Sequence, residues 1–274
     1  FNPFTVKLKT IIPPLNFILE PPPHLLVISP RDRMESIREI TLKQDLSLEE
    51  MEAVEDKAEE LGVSALVVKL GGLGSTYPAF VTNDASLRFT IDAATEEWLH
   101  QYLFFKPLGI LYTLDLTGIS PDYEIATINE TVASMTSQEI GGIVYRNNYP
   151  ALYNASTELQ TEEKRFDFSR EMREIRIAVD EYLARGEIAL AEEYMNEKQQ
   201  YLASNGFYIR KLNQAYFAFH GTYADRPTSV NPIGLEIEEL RDKSGSIKDF
   251  LEKSALITGR EALREALEEH SVNE

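Results

Sequence analysis

Residues 89–105 read FTIDAATEEWLHQYLFF, and the spacing of their apolar side chains decides the fold class. Ile91, Ala94, Trp98, Leu99 and Tyr102 recur at the three- and four-residue steps of an amphipathic helix, not at the two-residue step of a strand. Toward the C-terminus the chain reads as helix after helix. Pro121, with Ser120 as its cap, opens one that runs to Tyr145. Residues 168–183 and 187–202 read as a helical hairpin about Arg185-Gly186, and 211–223, 234–241, 246–252 and 259–268 complete the set. Toward the N-terminus the pattern changes. Residues 17–19 and 25–29 are short apolar runs set among prolines, which read as strands. Ser47-Leu-Glu-Glu50 is a capping box that opens a helix to Leu61, stopped by Gly62. Residues 64–69 (SALVVK) and 79–82 read as strands on either side of the glycine-rich turn 71–75. The expected fold is α+β, a small N-terminal β-sheet packed on a larger, mostly helical body. Residues 1–88 read as the α/β subdomain and 89–274 as the helical body, and since no linker splits the chain the two are expected to make one compact unit.

Composition narrows the functional classes. The chain has 274 residues, no cysteine, and 45 acidic against 27 basic side chains, a formal net charge of −18. The length suffices for a hydrophobic core without disulfide or metal staples. The absence of cysteine excludes thiolate zinc sites and cysteine nucleophiles. The negative charge excludes a nucleic-acid partner and weakens association with anionic membrane surfaces. The longest uncharged run, residues 70–83, holds three glycines and a proline and falls short of the roughly 18–20 apolar residues of a membrane span. Because the chain opens at Phe1, it reads as a soluble fragment of a longer product, extracytoplasmic or membrane-anchored through an N-terminal segment since removed.

The chemistry concentrates in Glu96-Glu97-Trp98-Leu99-His100. In the zinc-peptidase pattern H-E-x-x-H, the outer two residues lie four apart on one helix face and both reach one ion. The glutamate between them acts as general base toward the bound water. Glu97 and His100 fit this pattern as base and ligand, and Glu96 occupies the first ligand position. In isolation the string also fits a solvated acidic helix face. Asn129-Glu130-Thr131-Val132-Ala133, about thirty residues on, lies on the next expected helix.

With these two helices the sequence resembles the gluzincin metallopeptidases, in which an N-E-x-x-A-like helix supplies a third protein ligand. The resemblance places Glu130 in that role. Residues 211–224 (KLNQAYFAFHGTYA) look like the C-terminal L-N-x-A…Y block of bacterial aminopeptidase-like proteins. Together with LVISPRDR at 26–33 and the glycines of 71–74, the whole chain is similar to an uncharacterised bacterial family of membrane-anchored, predicted zinc metallopeptidases. That resemblance implies zinc held by Glu96, His100 and Glu130, with Glu97 as base. His220 and Tyr223 are candidate donors to the oxyanion of the reaction; packed helix residues are the alternative for both.

The glutamate at position 96 departs from the family pattern. It adds a negative charge beside Glu97 and Glu130, draws the preference toward manganese or calcium, or leaves the site without an ion, and makes water activation harder. The expected function is therefore a metallopeptidase-like domain that hydrolyses peptide or protein substrates weakly or not at all. A non-catalytic peptide- or protein-binding module is the alternative, and a structural domain presenting acidic helices to a partner is a third reading. The 71–75 loop lacks the lysine of a phosphate loop and reads as a turn beside the site, suited to a substrate-binding edge.

Overall fold

Local chemistry sets the elements. In the computed structural model, which describes residues 12–159 and 166–271, the Ser47 hydroxyl accepts the Glu50 N–H at 3.2 Å. The Glu50 carboxylate accepts the Ser47 N–H at 2.9 Å in return, so the capping box closes as expected. Gly62 then takes a positive φ of 80°, which ends that helix without a Cβ penalty.

In chain order the strands are β1 (Phe17–Leu19), β2 (His24–Pro30), β3 (Arg38–Thr41), β4 (Val63–Lys69), β5 (Gly72–Leu73) and β6 (Ala79–Val81). The helices are α1 (Leu48–Glu59), α2 (Leu87–Leu103), α3 (Pro107–Leu116), α4 (Tyr123–Asn148), α5 (Pro150–Leu159) and α6 (Phe168–Ala184). They continue as α7 (Ile188–Ser204), α8 (Gln214–Gly221), α9 (Pro232–Lys243), α10 (Ile247–Ser254) and α11 (Arg260–Ser271). The chain is thus α+β and mostly helical. Instead of one N-terminal sheet, the described residues form two three-stranded sheets, β1-β6-β5 and β3-β2-β4. Among the described residues, no helix is long and apolar enough to cross a membrane.

Contacts divide the described chain into two units, each built from separated segments. The first unit gathers residues 12–22, 70–159 and 233–271; the second, 23–69 and 166–232. Position 88 lies inside α2, which packs on β5 and β6 and so joins these strands to the helices that follow.

In the second unit, β2 pairs antiparallel with β3 and β4, and its alternation serves both faces. Leu26 packs with Met51 and Ala58 of α1, while Val27 packs with Ala215 of α8. Helices α6 and α7 close over Met172, Ile175, Val179, Met195 and Leu202. The α1 carboxylate of Glu55 is buried and held by Arg210 at 2.5 and 2.9 Å, by the Val67 N–H at 2.6 Å and by Lys211 at 3.4 Å. Burial works to raise the pKa of Glu55, but the Arg210 and Val67 hydrogen bonds and the Lys211 charge outweigh it and hold the group below the usual carboxylate range.

The first unit is organised around α4. Residues 125–134 are all buried, although Thr127, Asn129, Glu130, Thr131 and Ser134 are polar. The apolar part of the core joins Leu99 and Leu103 of α2, Leu108 of α3, Ile128 and Val132 of α4, Ile233 and Ile237 of α9, and Phe250 of α10. Each such fully buried side chain contributes about 1.5–3 kcal/mol relative to exposure, so α2, α3 and α4 are held firmly against one another. The cap of α4 corrects the sequence expectation. Asp122, not Ser120, accepts the Glu124 and Ile125 N–H groups, at 3.0 and 3.1 Å, and Pro121 lies just before it. Strand β3, helices α3 and α5, and the two-residue strand inside the 71–75 turn are further features beyond the sequence reading.

Candidate metal centre

Four residues apart on α2, Glu96 and His100 present their side chains to α4, and Glu130 meets them from that helix. One ligand atom from each of the three lies within 4.8 Å of the others. His100 Nε2 stands 3.7 Å from Glu130 Oε2. These distances suit donors that share one ion between them, whereas a direct hydrogen bond would need a closer approach.

Neighbouring groups fix the orientation of the donors. His100 Nδ1 lies 3.0 Å from Asn129 Oδ1; with Nδ1 as the donor of that contact, Nε2 would be left free for an ion beside Glu130. Tyr112 of α3 donates its hydroxyl hydrogen to Glu130 Oε1, and its ring stacks on the His100 imidazole at a centroid distance of 5.9 Å. Glu130 Oε2 is buried and has no hydrogen-bond partner. An orphaned carboxylate oxygen beside an imidazole nitrogen is costly in the absence of a cation, and it fits a cation ligand. The three side chains therefore can hold a metal ion.

Glu97 faces the glycine-rich loop. A Cβ placed on Gly72 would lie 2.2 Å from Glu97 Oε1, and one on Gly74 would lie 2.7 Å from Oε2 and 2.8 Å from the Glu97 carbonyl oxygen. With Glu97 placed as it is, glycine at 72 leaves room for its side chain, and glycine at 74 lets the turn after β5 approach the backbone of α2. Burial first, then the charges of Glu96 and Glu130, push the Glu97 carboxyl well above the usual carboxylate range, against a hydrogen bond from the Gly74 backbone.

The structure thus brings together Glu96, His100 and Glu130, with Glu97 on the same helix. His220 and Tyr223 belong to the second unit, at the end of α8 and just beyond it. His220 is exposed as a residue, but its ring packs on Tyr216 and Phe219, and burial of the imidazole followed by the Arg226 charge lowers its pKa to about 4. Tyr223 packs on Phe219, with Arg226 over its ring. The supports Asn129 and Tyr112 differ in how far the sequence marks them. Asn129 is adjacent to Glu130 in the sequence, which is signal enough to suspect it. Tyr112 is one of thirteen tyrosines and carries no sequence mark.

No protein-family model matches the chain, and neither does any curated protein or solved structure.

Proposed function

We propose that the chain is a metallopeptidase-like domain whose Glu-Glu-x-x-His helix, together with Glu130, takes a divalent ion, and that it hydrolyses peptides weakly or not at all. The convergence of Glu96, His100 and Glu130 around the unpartnered Glu130 oxygen carries this reading. A divalent ion bound there would supply Lewis acidity toward a peptide carbonyl and lower the pKa of the attacking water. Zinc suits the imidazole of His100; the two carboxylates also admit manganese or calcium.

The chain's own residues account for slow chemistry. Glu97 is the general base in this reading, and it must be ionised to accept a proton. Pushed well above the usual carboxylate range, it holds its proton more tightly than an ordinary glutamate, which works against that role, and a cation beside it would oppose the shift. Glu96, in place of the family's first histidine, puts a further negative charge where a neutral ligand would leave the ion more electrophilic. The substrate is a peptide or protein, and an N-terminal membrane anchor is part of the same proposal.

The test is a Glu96→His variant, stripped with chelator, reloaded with zinc and incubated with a mixed peptide library read by mass spectrometry. The variant should cleave peptides faster than the native chain. If it binds zinc and leaves every peptide intact, a non-catalytic peptide-binding module replaces the hydrolase reading.

A further inference from the structure

Glu130 has two carboxylate oxygens, and the fold treats them differently. Oε1 accepts the Tyr112 hydroxyl, whereas Oε2 is buried, unpartnered and 3.7 Å from His100 Nε2. Tyr112 is itself fixed: it lies in α3, packs against the core of the first unit and stacks on the His100 ring. Asn129, fully buried and next to Glu130, holds the other donor through the 3.0 Å contact of its Oδ1 with Nδ1 of the same ring. The site therefore offers one nitrogen from His100 and, from Glu130, one oxygen.

We propose that Tyr112 is a positioning residue that restricts Glu130 to one-oxygen ligation, and that the site thereby selects a d-block divalent ion such as zinc or cobalt over calcium. The proposal rests on the metal reading above and goes beyond it by naming what sets the choice of ion. Calcium takes six to eight oxygen ligands and commonly a bidentate carboxylate. An imidazole nitrogen with a one-oxygen Glu130 instead suits a small ion of low coordination number. With its phenol removed, Glu130 is free to turn both oxygens to the ion, which raises the coordination number and lessens the penalty on calcium.

Tyr112→Phe removes the hydroxyl and keeps the ring against His100 and the core. Far-UV circular dichroism and thermal melts establish that the variant is folded. Native and variant chains are stripped of metal, then titrated separately with zinc and with calcium, and the visible d–d bands of the cobalt-loaded proteins are recorded. Expected are a loss of zinc-over-calcium preference of roughly tenfold to a hundredfold and weaker cobalt bands, as the coordination number rises. A native chain that loads zinc and cobalt, with a variant of unchanged band intensity and unchanged preference, overturns the role of Tyr112 alone. A native chain that takes up neither ion overturns the metal reading, and this inference with it. The band intensity separates positioning from bulk stability, because a merely structural tyrosine would leave the spectrum of the loaded site unaltered.

Discussion

Two alanine substitutions two residues apart should have opposite consequences, because they strike different parts of Glu97. At Gly72 the three atoms nearest to a new Cβ all belong to the side chain, at 2.2 Å for Oε1, 2.5 Å for Cγ and 2.6 Å for Cδ. Ordinary contact begins near 3.4 Å, so the carboxylate must retreat by about 1.2 Å, which a flexible side chain does by rotation. The fold loses little, and replacing a strand glycine returns about 0.5–1 kcal/mol of backbone entropy. At Gly74 the new Cβ would lie 2.8 Å from the Glu97 carbonyl oxygen and 3.2 Å from its Cα, so the backbone of α2 or of the loop must move. Overpacking of that kind costs about 1–3 kcal/mol, or roughly 3–10 °C in a unit of this size. Thermal unfolding by circular dichroism should show Gly74→Ala well below the native chain and Gly72→Ala within a few degrees of it. Carboxyl-carbon NMR titration should show the Glu97 midpoint falling in Gly72→Ala, as the group leaves its crowded position and sheds the burial that raised it. Equal loss of stability in the two variants, or an unmoved Glu97 titration in Gly72→Ala, would refute the cradle.

The second unit has its own pH dependence. The folded pKa of Glu55 is depressed, so its contribution is fully present above the unfolded value of about 4.3 and is lost as the pH falls through the folded value. Glu55→Gln should cost about 2–4 kcal/mol at pH 7 in denaturant unfolding and should flatten the fall in stability below about pH 4.3; an unchanged acid limb would contradict the pairing. In the Glu96→His background, Glu97→Gln should retain zinc in calorimetric titration and abolish peptide cleavage, since an amide cannot accept the proton. Cleavage that survives the change would remove Glu97 as base.

What could be read in advance depended on whether the signal was local. The Ser47 capping box and the period of residues 89–105 are local, and both were legible. Helix α3 was not: PLGILYTLDL is nearly all apolar, so it shows no period, and what fixes it as a helix is packing on α4. Strand β3 is largely exposed and exists through its pairing with β2. At the start of α4 two local signals competed, a proline in first position and an aspartate with two N–H groups to accept, and the aspartate prevailed. The candidate site divides the same way. The four-residue step of Glu96 and His100 lies on one helix and is visible, while Glu130 came by resemblance. Tyr112 reaches Glu130 from a third helix, a tertiary fact with no sequence trace.

The central claim is that Glu96, His100 and Glu130 form one ion site, and isothermal titration of chelator-stripped protein with zinc tests it most directly. Run on the native chain and on Glu130→Gln, the experiment exploits the unpartnered Oε2, because glutamine keeps an acceptor for Tyr112 but withdraws the anionic oxygen. The account predicts one zinc per native chain, affinity lower by about a hundredfold or more in the variant, and a metal-free variant at least as stable as the metal-free native chain. A native chain that binds no zinc, or a variant that binds it as tightly as the native chain, would contradict the account.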